Sequence, residues 1–205
     1  MLYFEVEGKG KSFVFLHGFL ENHLIWNNLR KNLEKDAQIV TIDLPGHGNS
    51  AVMDETATME TMADAVIEVL DELNIAQATF IGHSMGGYVT CALADLYPER
   101  VENIVLINSS TLPDDDAKKN QRLRACETAK KNFNALVSFS MPTLFAAHHR
   151  DQFKDELKFV KEIALKTPIE GVCAALKGMR ERPDRSSILY DFKGGIYIIV
   201  GLNDE

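Results

Sequence analysis

The sequence predicts an α/β protein built on a mostly parallel sheet, and three observations carry that prediction. Five short, continuous apolar runs recur along the chain, as strands buried on both faces require. Helical periodicity fills most of the intervals between them. Strands alternating with helices imply βαβ units, which lie parallel in one sheet.

Taken in order, Phe13-Val14-Phe15-Leu16 is the first such run. Leu24 to Glu34 then reads as a helix, with Ile25, Leu29 and Leu33 at helical spacing, and Ile39-Val40-Thr41-Ile42 is the second strand. Residues 58 to 73 carry Met59, Met62, Ala63, Val66, Leu70 and Leu73 in the i, i+3, i+4, i+7 pattern of an amphipathic helix. Ala78-Thr79-Phe80-Ile81 is strand-like, and Met85 to Tyr97 reads as a helix stopped by Pro98. Ile104-Val105-Leu106-Ile107 and, near the end, Tyr197-Ile198-Ile199-Val200 complete the strands. From Leu112 to about Tyr190 helical patterns occur without a convincing strand. The chain therefore divides into a first part of the core (1–111), a helical insertion (112–190) and a last core strand with its loop (191–205). An insertion at the C-terminal end of a strand sits over the site of a βα protein, where it can serve as a lid.

Composition bounds the function. The chain has 205 residues, 45% hydrophobic and 25% charged, as expected of one globular domain. With 22 Lys and Arg against 30 Asp and Glu, the formal charge is −8. That charge argues against nucleic acid and against an anionic membrane surface as partners. No apolar run approaches the roughly 20 residues of a membrane span. Met1-Leu2-Tyr3-Phe4-Glu5 has no signal-peptide pattern. The three cysteines, Cys91, Cys126 and Cys173, are too few and too scattered for a disulfide framework or a zinc site, and their odd number suits a reducing cytoplasm.

The chemistry concentrates at Gly82-His83-Ser84-Met85-Gly86, which fits G-x-S-x-G. A strand runs in and a helix runs out, the context of a nucleophile elbow. The sharp turn needs small neighbours, which Gly82 and Gly86 supply, while Gly87 permits close packing of the helix. The serine hydroxyl would stand at a helix N-terminus, where N–H groups favour developing negative charge. An incidental serine in a Gly-rich turn is the bland alternative. His17-Gly18-Phe19 directly follows the first strand, so the N–H of Phe19 could join that of Met85 as two oxyanion donors. A plain tight turn is the competing account of that tripeptide.

These residues resemble the α/β-hydrolase superfamily, in particular its small esterase-like serine hydrolases. His17-Gly18-Phe19 is similar to the HG oxyanion motif, and Asp43-Leu44-Pro45-Gly46-His47-Gly48-Asn49-Ser50 to the D-x-P-G-x-G-x-S loop. Gly82 to Gly87 matches the GHSMGG elbow, and Trp26 falls where such members often carry a tryptophan. Gly178-Met179 and Arg182-Pro183-Asp184 resemble the last cap helix and the loop after it. The resemblance implies Ser84 as nucleophile and Asp204, in Gly201-Leu202-Asn203-Asp204, as the acid that orients a histidine. It also implies a reaction without metal or organic cofactor. Serine at position 84 disfavours the dehalogenase and epoxide-hydrolase chemistries, which use aspartate there. A turn aspartate is the alternative for Asp204.

The family order is Ser, then Asp, then His, and none of the six histidines follows Asp204. His17 belongs to the oxyanion turn, His47 to a Gly-rich turn, and His83 precedes the serine. His23, His148 and His149 read as solvated positions. The expectation is a C-terminally incomplete hydrolase, lacking about 40–50 residues. The strand Tyr197 to Val200 would then be an exposed edge through which a second copy or a completing chain could dock. The implied function is cleavage of a small carboxylic ester or thioester, with a small-molecule acyl substrate and poor turnover by these 205 residues alone. The alternatives are a non-catalytic ligand-binding protein of the same fold, or a lyase, C–C hydrolase or perhydrolase. His83, Phe139, Met141, Phe145 and Met179 are candidate pocket residues. Arg122, Arg124, Arg180, Arg182 and Arg185 read mainly as solvated charge, and Asp114-Asp115-Asp116 as an exposed loop.

Overall fold

A computed structural model describes residues 1–33, 35 and 37–204. Six strands form one sheet in the order β1-β3-β2-β4-β5-β6. β2 (Lys11–Leu16), β3 (Ala37–Ile42), β4 (Ala78–His83), β5 (Val101–Ile107) and β6 (Gly195–Ile199) are mutually parallel. The edge strand β1 (Phe4–Glu7) is antiparallel to β3 and escapes the sequence reading, because Phe4-Glu5-Val6-Glu7 is short and alternates rather than forming an apolar run.

The central strands are buried because both faces are covered. On one face, α2 (Met59–Glu72) and α3 (Met85–Leu96) pack with the main core around Val14, Leu16, Phe80, Leu106, Met62 and Leu93. Thr58 caps α2, its hydroxyl accepting from the Thr61 N–H at 3.1 Å. The other face is thinner: Phe15, Ala37, Ile39 and Ile81 gather around Trp26, whose ring lies 5.2 Å from that of Phe15. The helix expected over Leu24 to Glu34 is a one-turn 3-10 helix, His23–Trp26, followed by α1 (Asn27–Leu33); Glu34 lies outside the described residues. α1 buries no side chain, so Leu29 and Leu33 face solvent despite their helical spacing.

Between β5 and β6 the described residues form helices only: α4 (Asp116–Ser140, kinked at Asn132), α5 (Lys154–Ala164), α6 (Ile169–Glu181) and α7 (Ile188–Asp191). α6 sits backbone-to-backbone on the core. A Cβ on Gly46 would meet Gly171 Cα at 2.7 Å, and a Cβ on Gly178 would overlap the Ala57 carbonyl. The Ala57 N–H donates to Ala174 O at 3.1 Å. No helix is long and apolar enough to cross a membrane among the described residues.

Three expectations are corrected by the insertion. Cys126 on α4 and Cys173 on α6 are joined in a disulfide, their Cα atoms 5.1 Å apart, because the two helices pack side by side and close a sequence gap of 47; Cys91 is free and buried. Asp114 is buried, not exposed, and is held by Arg122 and by Arg182 Nη1 at 2.6 Å. Arg182 and Arg185 are buried as well: the guanidinium of Arg182 also lies 3.9 Å over the Tyr88 ring, and Arg185 pairs with Glu60 and Asp95. These arginines are therefore latches between insertion and core, not solvated charge.

Among the described residues β6 pairs only with β5, and its residues Tyr197, Ile198 and Ile199, with the following Val200, are all more than half exposed.

Candidate active site

Ser84 stands between the end of β4 and the start of α3 with φ 49° and ψ −112°. A non-glycine residue reaches that region only when its surroundings force it, and such strain concentrates at functional sites. The surroundings here are backbone. The Ser84 N–H donates to Ile107 O at 3.0 Å, and its carbonyl accepts from Gly87 N–H at 3.0 Å and from the Ser109 hydroxyl at 2.8 Å. A Cβ on Gly82 would overlap the Gly86 backbone, and one on Gly87 would overlap Ser109. The sharp turn therefore admits no larger residue at either place. Ser84 itself is partly exposed.

Opposite the elbow runs the loop after β2. His17 is fully buried, and Leu44 N–H donates to its Nε2 at 2.9 Å. The proton must then sit on Nδ1, which donates to Gly18 O at 2.7 Å. Glu21 N–H reaches the same carbonyl at 3.3 Å. No cis peptide occurs among the described residues, so fixing the Gly18 carbonyl turns the Phe19 N–H the opposite way, away from His17. Burial lowers the His17 pKa, so the ring stays neutral and keeps both bonds.

The loop Asp43 to Ser50 is organised by one buried carboxylate. Asp43 Oδ1 accepts from His23 Nδ1 at 2.8 Å and from His23 N–H at 2.7 Å, while Oδ2 accepts from Asn49 N–H at 2.8 Å. Burial opposes ionisation of Asp43, but these donors together hold its carboxyl below the usual range. His23 is thus buried beneath Asp43, contrary to the solvated position expected for it. His47 is also buried; burial pushes its pKa down to about 3, and its ring lies 5.3 Å from His17.

His83 and Glu21 add a feature the sequence reading missed. His83 Nδ1 lies 2.8 Å from Glu21 Oε2, and the same oxygen accepts from Gly18 N–H at 2.6 Å. Burial works against ionisation of both groups. The opposite charge and the shared bond nevertheless raise the His83 pKa and lower that of Glu21, with Asp204 adding to the His83 shift. An acidic residue inside the apolar stretch Gly18-Phe19-Leu20-Glu21 was the available signal.

Asp204 lies in the turn after β6, exposed, its N–H bonded to Gly201 O at 3.1 Å. That turn is tied to the end of β5 through Asn108, whose side-chain carbonyl accepts from Gly201 N–H at 3.0 Å. The other candidate pocket residues do not converge. Phe139 is 77% exposed on the outer side of α4. Met141 and Met179 are buried in the main core, and Phe145 packs against Phe153. These corrections share a cause: the spacing that marks an apolar helix face does not say whether core, solvent or cleft lies against it. His148 and His149 are exposed, their rings 4.1 Å apart and tilted at 52° to one another. A cavity of about 540 Å³ lies between α3 and α7 at the far end of the sheet, and one of about 320 Å³ lies beside Ser109, Ile198 and Tyr190; Ser84 lines neither. No group of three metal-ligating side chains occurs among the described residues.

A family model described as alpha/beta hydrolase fold matches residues 11–164. The chain belongs to the α/β-hydrolase family. Among solved structures, a thermophilic esterase from Thermogutta terrifontis superposes with a TM-score of 0.93 at 30% identity, covering 98% of this chain and 74% of that one. A carboxylesterase structure from Nitrososphaera gargenis gives 0.86 at 27% identity, covering 98% and 76%. Among curated proteins, the dihydrolipoyllysine-residue acetyltransferase component of an acetoin cleaving system from Pseudomonas putida is 34% identical over 201 residues, 91% of this chain. The chain spans about half the length of that relative, 51%, and less of the other curated relatives.

Proposed function

We infer that the protein is a serine hydrolase that cleaves a small carboxylic ester or thioester through an acyl-enzyme on Ser84. The observation that carries this reading is the Ser84 backbone, held at φ 49° between β4 and α3. In this reading the Ser84 hydroxyl gives its proton to the base and attacks the acyl carbonyl. The C–O or C–S bond breaks and the alcohol or thiol leaves with that proton, and water then cleaves the Ser84 acyl ester to release the acid. The oxyanion is met by two N–H groups, that of Met85, the first residue of α3, and that of Phe19, turned away from His17. Asp204 orients a histidine that serves as general base. The helices of residues 112–190 cover the cleft as a lid.

The base is the open member of the set. His17, His23, His47 and His83 are bonded to other groups, and His148 and His149 are exposed on the insertion, ring beside ring. The reading therefore draws its base from beyond these 205 residues, in later sequence or a partner chain, and expects slow turnover without it. The same observation favours one second reading, a hydrolase-fold protein that binds a small ligand without catalysis.

The two separate in an ester panel. Acetyl to hexanoyl p-nitrophenyl esters and an acyl thioester are assayed with the full-length protein and its Ser84→Ala variant. The hydrolase reading expects turnover lost by about 10⁴-fold or more in the variant. Equal rates in both would remove Ser84 as nucleophile. Ligand binding without turnover in the full-length protein would leave the binding reading.

A further inference from the structure

We propose that Glu21 is a positioning residue of the Ser84 site, using one carboxylate oxygen to hold the two halves of the oxyanion-binding backbone in register. This rests on the reading of Ser84 as nucleophile.

Glu21 is 5% exposed, and a buried carboxylate is costly unless its bonds are made. Its Oε2 makes two: Gly18 N–H at 2.6 Å and His83 Nδ1 at 2.8 Å. Gly18 immediately precedes Phe19, and His83 immediately precedes Ser84 and Met85. One oxygen thus spans from the loop carrying the first N–H to the turn carrying the nucleophile and the second. The contact is tight. A Cβ on Gly18 would stand 2.7 Å from Glu21 Oε2 and 2.8 Å from His83 Nδ1, so only glycine lets the three meet.

The remaining bonds converge on the same peptide. The Gly18 carbonyl is held by His17 Nδ1 at 2.7 Å and by the Glu21 N–H at 3.3 Å, so Glu21 grips Gly18 from both its N–H and its carbonyl side. Leu20, between them, takes φ 62°, the left-handed region that a leucine occupies only when its neighbours are fixed. A simple staple of the fold would need only one of these contacts. The arrangement instead fixes the direction of the Phe19 N–H and its distance from Met85, the two quantities on which oxyanion stabilisation depends.

The test compares wild type with Glu21→Gln, Glu21→Ala and Ser84→Ala in two arms. In the full-length protein, Glu21→Gln keeps the shape and a Gly18 acceptor but loses the charged partner of His83. The expected result is a fall in kcat of about 10²-fold with KM within about twofold, because the N–H groups are misplaced and not lost. Glu21→Ala falls further. Wild-type kcat in Glu21→Gln, or a rise in KM alone, overturns the proposal. In the 205-residue chain, amide NMR needs no turnover: Glu21→Gln is expected to shift both the Phe19 and the Met85 N–H signals while the spectrum stays dispersed. Unmoved signals at those two residues overturn the proposal. If wild type neither turns over esters nor differs from Ser84→Ala, the hydrolase reading fails on its own, and the NMR arm still decides Glu21.

Discussion

The backbone of Gly86 lies so close to that of Leu16 that a Cβ on Gly86 would overlap the Leu16 carbonyl and stand 2.7 Å from the His17 carbonyl oxygen. Helix α3 therefore starts directly against the end of β2, which brings Met85 beside the Gly18–Phe19 loop. Any side chain at position 86 must push the two apart.

Gly86→Ala is accordingly expected to cost about 1–3 kcal/mol of stability and to lower ester turnover. Gly201→Ala serves as its control, because the nearest atoms to a Cβ there are at 3.8 and 3.9 Å; its stability should stay within about 0.5 kcal/mol of wild type. Urea unfolding of both variants checks the pair.

The buried His47 sets a pH dependence. Its folded pKa is pushed by burial from 6.5 to about 3, so below about pH 6.5 the unfolded chain takes up a proton that the folded chain refuses. Stability from this residue is full above the unfolded value and is lost as pH falls. The loss from pH 7 to pH 5 amounts to about 2 kcal/mol. His47→Gln should remove that slope, read from urea midpoints at the two pH values. Asp43, held below its ordinary range, adds a loss of the same sign at lower pH, as its carboxylate is protonated.

Asp114 ties the start of the insertion to Arg122 on α4 and to Arg182 after α6, and Arg182 carries the link on to the core by lying over the Tyr88 ring. Asp114→Asn leaves Arg122 and Arg182 without their shared carboxylate, and breaking a buried pair from one side costs about 3–5 kcal/mol. Limited proteolysis should then cut within residues 112–190 earlier than in wild type. An unchanged cleavage pattern would mean that α6 is held by its backbone contacts with Ala57 and Gly46 alone.

A non-reducing peptide map should recover Cys126 and Cys173 as one cross-linked pair. Cys91 should stay unalkylated until the protein unfolds, since burial pushes its thiol up to about 12. Three freely alkylated cysteines in the folded protein would contradict the pairing.

Strands β2 to β5 were legible because they lie within a sheet covered on both faces and so are written as apolar runs, and β6 was read from the same kind of run although Tyr197 to Val200 are more than half exposed. β1, with one exposed edge and alternating residues, left no such mark. Ser84 was legible because an elbow demands glycines at fixed offsets. Glu21, Asp43 and Asp114 act through partners 62, 20 and 68 residues away, and pairing across such gaps is decided by packing. The Cys126–Cys173 link was hidden for the same reason. Phe139 is 77% exposed on α4, and the spacing of apolar residues along that helix does not say which of its faces meets solvent.

The most direct test is covalent. The full-length protein and its Ser84→Ala variant are treated with a fluorophosphonate, and adduct mass is located by peptide mapping. A single adduct on the peptide containing Ser84, absent from the variant, is the predicted result. An adduct elsewhere, equal in both proteins, would contradict it.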